Sequence, residues 1–238
     1  MQSIQIIGNG NVAWHFQKAL QNTSFYQVKQ INSRVKSFDC SSDNFVIIAV
    51  KDDAIEEVAE KILTYSAIVL HTSGIKSIEV LRKKFANCGV LYPVQTFRKE
   101  REVDFTQVPL CIEANNKENL EKISNLAHHL TNLVYEIYSL QRQHLHLAAT
   151  FANNFTNHLI GIAKQIAENA NIDFSILNPL IIHTITESLS HDTFSLQTGA
   201  AKRNDVSTIK VHESMLGIEE RKIYDIITEH IIKKYNKC

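Results

Sequence analysis

The chain has 238 residues, and its 25 basic and 25 acidic side chains leave a formal net charge of zero. This balance argues against nucleic acid or an anionic membrane surface as the main partner, because proteins that bind either one carry a basic excess. Hydrophobic residues make up 44% of the chain, an ordinary globular share, and no apolar run approaches the roughly 20 residues that cross a bilayer. The composition therefore predicts a globular protein with no nucleic-acid and no membrane partner.

The cysteine and histidine patterns bear on the compartment and on metal binding. Cys40, Cys88, Cys111 and Cys238 are widely spaced and include no C-x-x-C pair, which favours reduced thiols in a cytoplasmic protein. The 11 histidines include no H-E-x-x-H pattern. We therefore predict a cytoplasmic protein with no metal site.

The first 140 residues alternate short apolar runs with amphipathic stretches. We predict strands at residues 4–7, 26–31, 45–50, 67–70, 89–92, 110–112 and 133–137. Between them, helices are predicted after the first strand and at residues 54–63, 78–85 and 118–130. This rhythm indicates βαβ units, and therefore an α/β fold with a doubly wound parallel sheet.

After about Ser139 the apolar periodicity becomes helical. Apolar residues recur every three or four positions between Leu145 and Ile166, which predicts a single helix from about Gln141 to Asn169. Further helices are predicted at residues 174–188, 206–212 and 219–235. We therefore predict two domains, a sheet domain at 1–139 and an all-helical domain at 140–238. The long apolar stripe also predicts a homodimer that forms through the C-terminal helices.

A nucleotide-binding motif, G-x-G-x-x-A, directly follows the first predicted strand and opens a helix. In this motif Gly8 permits the tight turn, Gly10 lets the backbone approach a pyrophosphate, and Ala13 allows close packing of helix and strand. Free N–H groups at the helix start then point at the phosphates. The predicted cofactor-binding residues of this turn are Gly8, Asn9, Gly10, Asn11, Val12 and Ala13. The alternative is a domain of the same shape that has lost its ligand.

The end of the second strand indicates which nucleotide binds. NAD-binding domains carry an acidic residue there for the ribose 2′-hydroxyl, but this chain has Asn32, Ser33 and Arg34. An arginine and a hydroxyl suit a 2′-phosphate, so NADP is the predicted cofactor. Val50, at the end of the third core strand, is predicted to contact the same cofactor. An ordinary polar loop is the alternative interpretation of residues 32–34.

Two further polar segments end predicted strands, and ligands of open α/β sheets bind at those ends. His71 is a candidate general acid or base, and Ser73 is a candidate for binding both cofactor and substrate. Gly74 is assigned to the cofactor, and Gln95 to orienting the nicotinamide amide or the substrate. The alternative is that these polar groups only satisfy the loop backbone.

Five stretches together carry a resemblance to a known family. They are residues 8–13 (GNGNVA), 71–74 (HTSG), 93–97 (PVQTF), 146–154 (HLAATFANN) and 198–205 (TGAAKRND). Over essentially its full length the chain resembles the Rossmann-like oxidoreductases of the 6-phosphogluconate dehydrogenase superfamily. Within that superfamily it is similar to NADP oxidoreductases that join a domain like deazaflavin-dependent NADP reductase to a helical domain of unknown function. The resemblance implies a Rossmann sheet, NADP binding and redox activity, and it implies no particular substrate.

In that superfamily the helix that corresponds to the long predicted helix carries a lysine and an asparagine, four residues apart, that handle the proton of the alcohol. The aligned positions here are His146 and Thr150, with Asn153 one turn further on. A lysine is missing, and an imidazole can exchange a proton near neutrality, so His146 and Asn153 become the predicted catalytic residues and Thr150 a substrate-binding residue. The alternative is a solvated helix face.

The resemblance also shows two departures. Many relatives have His-Pro where this chain has Tyr92-Pro93, which excludes a catalytic imidazole at that point, and they tend to have proline where it has Ala200. In the same late loop Arg203 is predicted to bind a substrate carboxylate or phosphate. Asp205 is predicted to cap the helix that follows.

We therefore predict an NADP-dependent oxidoreductase that transfers a hydride between NADP(H) and a small polar substrate bound between the two domains. The missing lysine favours a second hypothesis, a sensor or regulatory module that binds NADP(H) without turnover. A third is a reductase in which NADP reduces a deazaflavin or flavin.

Overall fold

The computed structural model describes residues 1–64 and 66–236, and its centre is a seven-stranded sheet in the order β2-β1-β4-β6-β7-β8-β9. Two more strands, β3 and β5, pair separately as a small parallel sheet. The strand bounds are β1 Gln2–Ile7, β2 Tyr26–Ile31, β3 Phe38–Asp39, β4 Phe45–Ile48, β5 Ile62–Leu63, β6 Ile68–His71, β7 Cys88–Pro93, β8 Leu110–Ala114 and β9 Val134–Glu136.

Helices cover both faces of this sheet, as the sequence predicts for strands that are apolar on both sides. They are α1 Asn11–Gln21, α2 Ile55–Glu60, α3 Glu79–Arg82, α4 Lys117–His128 and α5 Ser139–Ala149. One core cluster packs α1 and α4 on one face, around Phe16 and Ile123. The second packs α2 and α3 on the other, around Val58 and Leu81, with Leu145 of α5 at its margin. The predicted doubly wound α/β fold is confirmed.

The sheet departs from a wholly parallel arrangement at one place. Strand β8 runs antiparallel to β7, with Leu91 opposite Ile112, and β9 then runs parallel to β8. The chain between β7 and β8 contains only a short 3₁₀ turn, Phe105–Gln107, and no crossover helix. Neighbouring parallel strands need such a crossover, so a direct connection returns antiparallel.

The long predicted helix forms, but it is not a uniform α-helix. After α5 the helical residues pass through a π-helical turn, Thr150–Phe155, and continue as α6, Thr156–Asn169. By contacts the chain divides into two compact units, Met1–Asn154 and a second unit that starts at Phe155. The domain boundary predicted after residue 139 lies one helix before this division, and it stays a prediction. Helix α5 belongs with the first unit because its side chains pack on β7, β8 and the loop after β6.

The second unit is helical, as predicted. After α6 it contains a 3₁₀ turn, Phe174–Leu177, and the helices α7 Asn178–Ser190, α8 Ala200–Arg203, α9 Val206–Met215 and α10 Ile218–Tyr235. Of its described residues only Ala167, Ile209 and Thr228 are buried. Many large apolar side chains on α6, α7 and α10 are therefore open to solvent in the single chain.

Three of the four cysteines, Cys40, Cys88 and Cys111, are buried free thiols. Cys238 lies outside the described residues. Among the helices that the structure describes, none is both long enough and apolar enough to cross a membrane.

Candidate functional site

A cleft of about 710 Å³ opens at the carboxyl ends of β1, β2, β4, β6 and β7. Most of the predicted site residues line it: Asn9, Gly10, Asn11, Val12, Ser33, Arg34, Val50, Ser73, Gly74, Gln95 and His146. The other predicted residues do not: Gly8, Ala13, Asn32, His71, Thr150, Asn153 and Arg203. The cleft crosses four strand intervals from β2 to β7, about 19 Å at the usual 4.8 Å spacing.

The turn between β1 and α1 has the backbone that the glycine motif requires. Gly8 has φ +136°, which favours glycine, and a Cβ at this position would collide with the carbonyl oxygen of Ala49. At Gly10 the situation is opposite, because a Cβ would meet nothing within 4 Å. Since Gly10 lines the cleft, the missing side chain leaves open space beside the backbone. Ala13 is fully buried where α1 packs on the sheet.

The N-terminus of α1 is available to an anion. Gly10 is its N-cap, no side chain caps the first turn, and no acidic residue lies in it. The Asn11 amide donates to the Phe97 carbonyl at 2.9 Å instead, and the Lys99 ammonium donates to the Asn9 carbonyl at 2.8 Å. These two bonds hold the chain that follows β7 against the glycine turn. The N–H groups at the helix start keep the position that suits a phosphate.

At the far edge of the sheet, the loop after β2 presents a cation to the cleft. The Asn32 side chain accepts a hydrogen bond from the Arg34 backbone N–H at 3.0 Å, so Asn32 shapes the loop and does not line the cleft. Arg34 is exposed, and its guanidinium makes no hydrogen bond or ion pair with any residue that the structure describes. Ser33 lies next to it. The loop therefore offers a guanidinium and a hydroxyl where the sequence predicts a 2′-phosphate.

His71 lies below the cleft surface, in a position that argues against the acid/base role predicted for it. Its side chain is fully buried, and Nδ1 accepts a hydrogen bond from the Ser73 backbone N–H at 3.2 Å. The pKa of His71 is lowered to about 3, mainly by burial and also by the nearby Arg142 guanidinium, against a Ser77 backbone interaction that raises it. The imidazole is therefore neutral at physiological pH, and its contacts shape the turn after β6.

A buried arginine, which the sequence analysis did not single out, fixes the same turn. Arg142 of α5 donates to the carbonyl oxygens of Ser73 and Lys76 and forms an ion pair with Glu113 of β8. The Ser73 hydroxyl accepts from the N–H groups of Ile75 and Lys76. Ser73 thus serves the loop as well as the cleft wall. A lone arginine on an amphipathic helix carries no sequence signal of burial.

Tyr92 and His146 meet at the β7 end of the cleft. The Tyr92 hydroxyl lies 3.1 Å from His146 Nδ1, with the two rings nearly edge to face. Gly74 makes room for them, because a Cβ there would stand 2.6 Å from His146 Nδ1 and 2.9 Å from Tyr92 Cζ. Burial raises the pKa of Tyr92, so the phenol is protonated at neutral pH. The sequence marks Tyr92 only as the residue before Pro93 at a strand end.

The remaining predicted residues near this end form hydrogen bonds with neighbouring protein groups. The Gln95 side-chain carbonyl accepts from the Thr96 backbone N–H at 2.8 Å, and Asn153, in the π-helical turn, donates to the Thr96 hydroxyl at 2.7 Å. The Thr150 hydroxyl donates to the His146 carbonyl, as it does in many helices. Asn153 therefore tethers the segment that carries Gln95, and the π-helical turn presents its side chain to that segment.

Arg203 belongs to the second unit, where it ends α8 and is exposed. Its role with a substrate stays a prediction. The predicted cap at Asp205 forms, since its carboxylate accepts from the Thr208 backbone N–H. The hydrogen bond from the Thr208 hydroxyl, this backbone bond and the bond from the Ser207 hydroxyl together lower the pKa of Asp205 to about 2. No group of three or more potential metal ligands occurs among the described residues.

Comparisons with solved structures place this architecture among oxidoreductases. A protein from Bacteroides fragilis, provisionally named an NADP oxidoreductase, is similar at 30% identity and a TM-score of 0.84, over 98% of both chains. An imine reductase from Myxococcus stipitatus, solved with NADP⁺, has 13% identity and a TM-score of 0.64, over 97% of this chain and 92% of that one. A reductive aminase from Aspergillus terreus, solved with NADPH4, cyclohexanone and allyl amine, has 10% identity and a TM-score of 0.70, over 98% and 94%.

The family model that matches is the Domain of unknown function (DUF2520), over residues 108–231. No curated protein matches the chain significantly. The glycine turn, the cleft and the sheet order define a Rossmann-type protein, and the similarity to the Bacteroides fragilis protein places it in the oxidoreductase class. The chain belongs to the Rossmann-like NADP oxidoreductase family whose C-terminal part is the DUF2520 domain.

Proposed function

We propose that the protein is an NADP-dependent oxidoreductase that acts on a small polar substrate. The observation that carries the proposal is the turn at Gly8 and Gly10, which opens α1 onto a continuous cleft that reaches Tyr92 and His146. Space beside Gly10 and an uncapped helix N-terminus are what a pyrophosphate needs.

The order of the strands supports one direction for the cofactor. Arg34 follows β2 at one edge, the glycine turn follows β1 beside it, and Gly74 and Tyr92 lie two and three strands further on. An adenosine near Arg34 and a pyrophosphate at Gly10 therefore leave the nicotinamide for the β6 and β7 end. When bound there, NADPH supplies a hydride to the substrate.

The preference for NADP over NAD rests on the loop after β2. Arg34 has no ion-pair partner among the described residues, and the position carries no carboxylate to take a ribose 2′-hydroxyl. A guanidinium pairs with a phosphate through two parallel hydrogen bonds, so its contribution depends on the 2′-phosphate.

Two finer features belong to the same proposal. The exposed apolar side chains of the second unit, such as Ile182 and Leu189 on α7, support the predicted homodimer, because large exposed apolar surfaces mark interaction sites. Light scattering tests it, and a particle of one chain, 27.1 kDa, contradicts it. The substrate position between the domains and the cytoplasmic location stay predictions.

Calorimetric titration of the purified protein with NADPH and with NADH tests the cofactor. We expect NADPH to bind at least tenfold more tightly than NADH, about 1.4 kcal/mol. Arg34→Ala should weaken NADPH binding about tenfold and leave NADH binding within twofold. Lys36→Ala is the matched control, because it removes an exposed cation two residues away that does not line the cleft.

Each outcome has a distinct meaning. If neither nucleotide binds at millimolar concentration, the glycine turn is vestigial and the proposal fails. Equal effects of the two variants would assign Arg34 to general surface charge. Tight binding without oxidation of NADPH by any carbonyl or imine compound would favour the sensor hypothesis.

A further inference from the structure

The β7 end of the cleft contains one contact between two titratable side chains from different elements. Tyr92 lies on β7, inside the sheet, and is 8% exposed, whereas His146 lies on α5 and is partly exposed. The phenol oxygen and Nδ1 are 3.1 Å apart, and both residues line the cleft. The pair therefore connects the cleft interior with a ring that reaches solvent.

The surrounding chain holds the two rings together. A Cβ on Gly74 would collide with both the Tyr92 and the His146 rings, so the missing side chain lets the chain after β6 pass directly beside the contact. That chain is fixed in turn by Arg142, whose guanidinium donates to the Ser73 and Lys76 carbonyls. Since Arg142 and His146 lie one turn apart on α5, the same anchor positions the imidazole.

The other histidine near this end of the cleft already has a bonding partner. The His71 imidazole is buried beneath the cleft with its Nδ1 bonded to the Ser73 N–H. Burial is the largest cause that raises the pKa of Tyr92, and the Cys111 and Asp52 charges raise it too, against Arg142, which lowers it. The phenol thus retains its proton at neutral pH and remains available as a donor.

We propose that Tyr92 is a catalytic residue, the group that gives a proton to the heteroatom of a carbonyl or imine substrate, and that His146 is the positioning residue that returns a proton to the phenol. The inference rests on the proposed function, since it places the reacting double bond beside the nicotinamide end of the cleft.

The atoms and charges balance. The substrate carbon accepts the hydride that NADPH supplies, the C=O or C=N π bond breaks, and the heteroatom takes the Tyr92 O–H proton. The phenolate oxygen then takes the proton from Nδ1 of the His146 imidazole while the other ring nitrogen, Nε2, takes a proton from solvent. The ring stays neutral overall, and proton exchange with solvent restores its first tautomer. One NADPH and one proton are consumed for each alcohol or amine formed.

The first test needs no substrate. Histidine imidazole nitrogens of the cofactor-free protein, labelled with ¹⁵N, are compared by NMR in the wild type and in Tyr92→Phe. We expect the His146 signals to shift in this variant. Tyr135→Phe is the matched control, because Tyr135 is exposed on β9 and its hydroxyl makes no hydrogen bond with the described residues. Unchanged His146 signals in Tyr92→Phe would overturn the pair.

The second test uses NADPH oxidation at 340 nm with a panel of ketones, aldehydes, 2-oxo acids and cyclic imines. Tyr92→Phe should lower kcat at least a hundredfold, with KM and the calorimetric Kd for NADPH within threefold. His146→Ala should lower kcat about tenfold, and added imidazole should restore part of the loss. Tyr135→Phe should match the wild type.

The outcomes separate this inference from the proposed function. If the wild type does not bind NADPH, the proposed function itself fails. If the wild type binds NADPH and Tyr92→Phe keeps an unchanged kcat, only the role of Tyr92 is overturned. The same conclusion follows if the wild type binds NADPH but reduces no compound in the panel. A kcat loss in His146→Ala that imidazole cannot restore overturns the proton return through His146. Thermal melting of each variant checks that it folds.

Discussion

Arg142 and Glu113 form an ion pair from which solvent is almost completely excluded, with side chains 0% and 7% exposed. Glu113 also accepts from the Ser139 hydroxyl, and Arg142 also donates to the Ser73 and Lys76 carbonyls. The pair thus ties α5 to β8 and to the chain after β6. Because these segments carry His146 and Gly74, the pair stabilises one wall of the cleft.

We expect Arg142→Met and Glu113→Gln each to lower the free energy of unfolding by about 3–5 kcal/mol, since each leaves a buried charge or carbonyl without its partner. Urea denaturation measures the change. Arg221→Met is the control, because its ion pairs with Glu213 and Asp225 are partly exposed to solvent and should contribute at most about 1 kcal/mol. Equal losses in Arg142→Met and Arg221→Met would contradict the structural role.

Alanine substitutions at the two glycines of the β1–α1 turn should have different effects on stability and on NADPH binding. Gly8→Ala places a Cβ on a backbone with positive φ, where it would collide with the Ala49 carbonyl, so we expect a lower melting temperature. Gly10→Ala meets no protein atom, so it should melt like the wild type but bind NADPH at least tenfold more weakly. Calorimetry and thermal melting on both variants make the comparison. Unweakened binding in Gly10→Ala would place the pyrophosphate elsewhere.

Acid should destabilise the protein through His71. Its pKa is about 3 in the folded protein and about 6.5 in the unfolded chain, so between these values the unfolded state binds more protons. The contribution of His71 to stability is therefore fully present above about pH 6.5 and is lost as the pH falls towards 3, by up to about 1.4 kcal/mol per pH unit.

His71→Asn keeps an acceptor and cannot titrate, so its stability should fall less steeply between pH 6.5 and pH 4. Denaturant melts across this range measure the slope. His128→Asn removes an exposed histidine and should keep the wild-type slope. A wild-type slope in His71→Asn would show that other groups carry the acid sensitivity.

Gly161 offers a test of what covers the second unit. It lies within α6, is exposed, and a Cβ there would meet nothing within 4 Å. In a helix exposed to solvent Gly161→Ala should raise the free energy of unfolding by about 0.5–1 kcal/mol. Urea denaturation at several protein concentrations measures it. A loss of stability instead would mean that another surface, such as a second copy of the chain, packs against this position.

Much of the fold follows from local pattern. The apolar run Phe45–Ile48 became a core strand because its side chains are buried in the sheet, whereas Tyr26–Ile31, which mixes apolar and polar residues, became the edge strand β2. The glycine motif formed its turn because Gly8 has a positive φ. The antiparallel β8 was not predicted, because a strand's direction depends on its connection and its partner. The π-helical turn at Thr150–Phe155 was missed for a similar reason, since an apolar stripe with a period near 3.6 does not reveal a single wider turn.

The sequence by itself was enough to predict the proposed nucleotide site, because the glycine motif and the residues after β2 would act through their own backbone and charge. Only the tertiary structure decided the other end of the cleft. It removed His71 from the surface by burial, paired Arg142 with Glu113, and brought Tyr92 within 3.1 Å of a histidine 54 positions away. Such contacts depend on which elements pack together, and no local pattern encodes that.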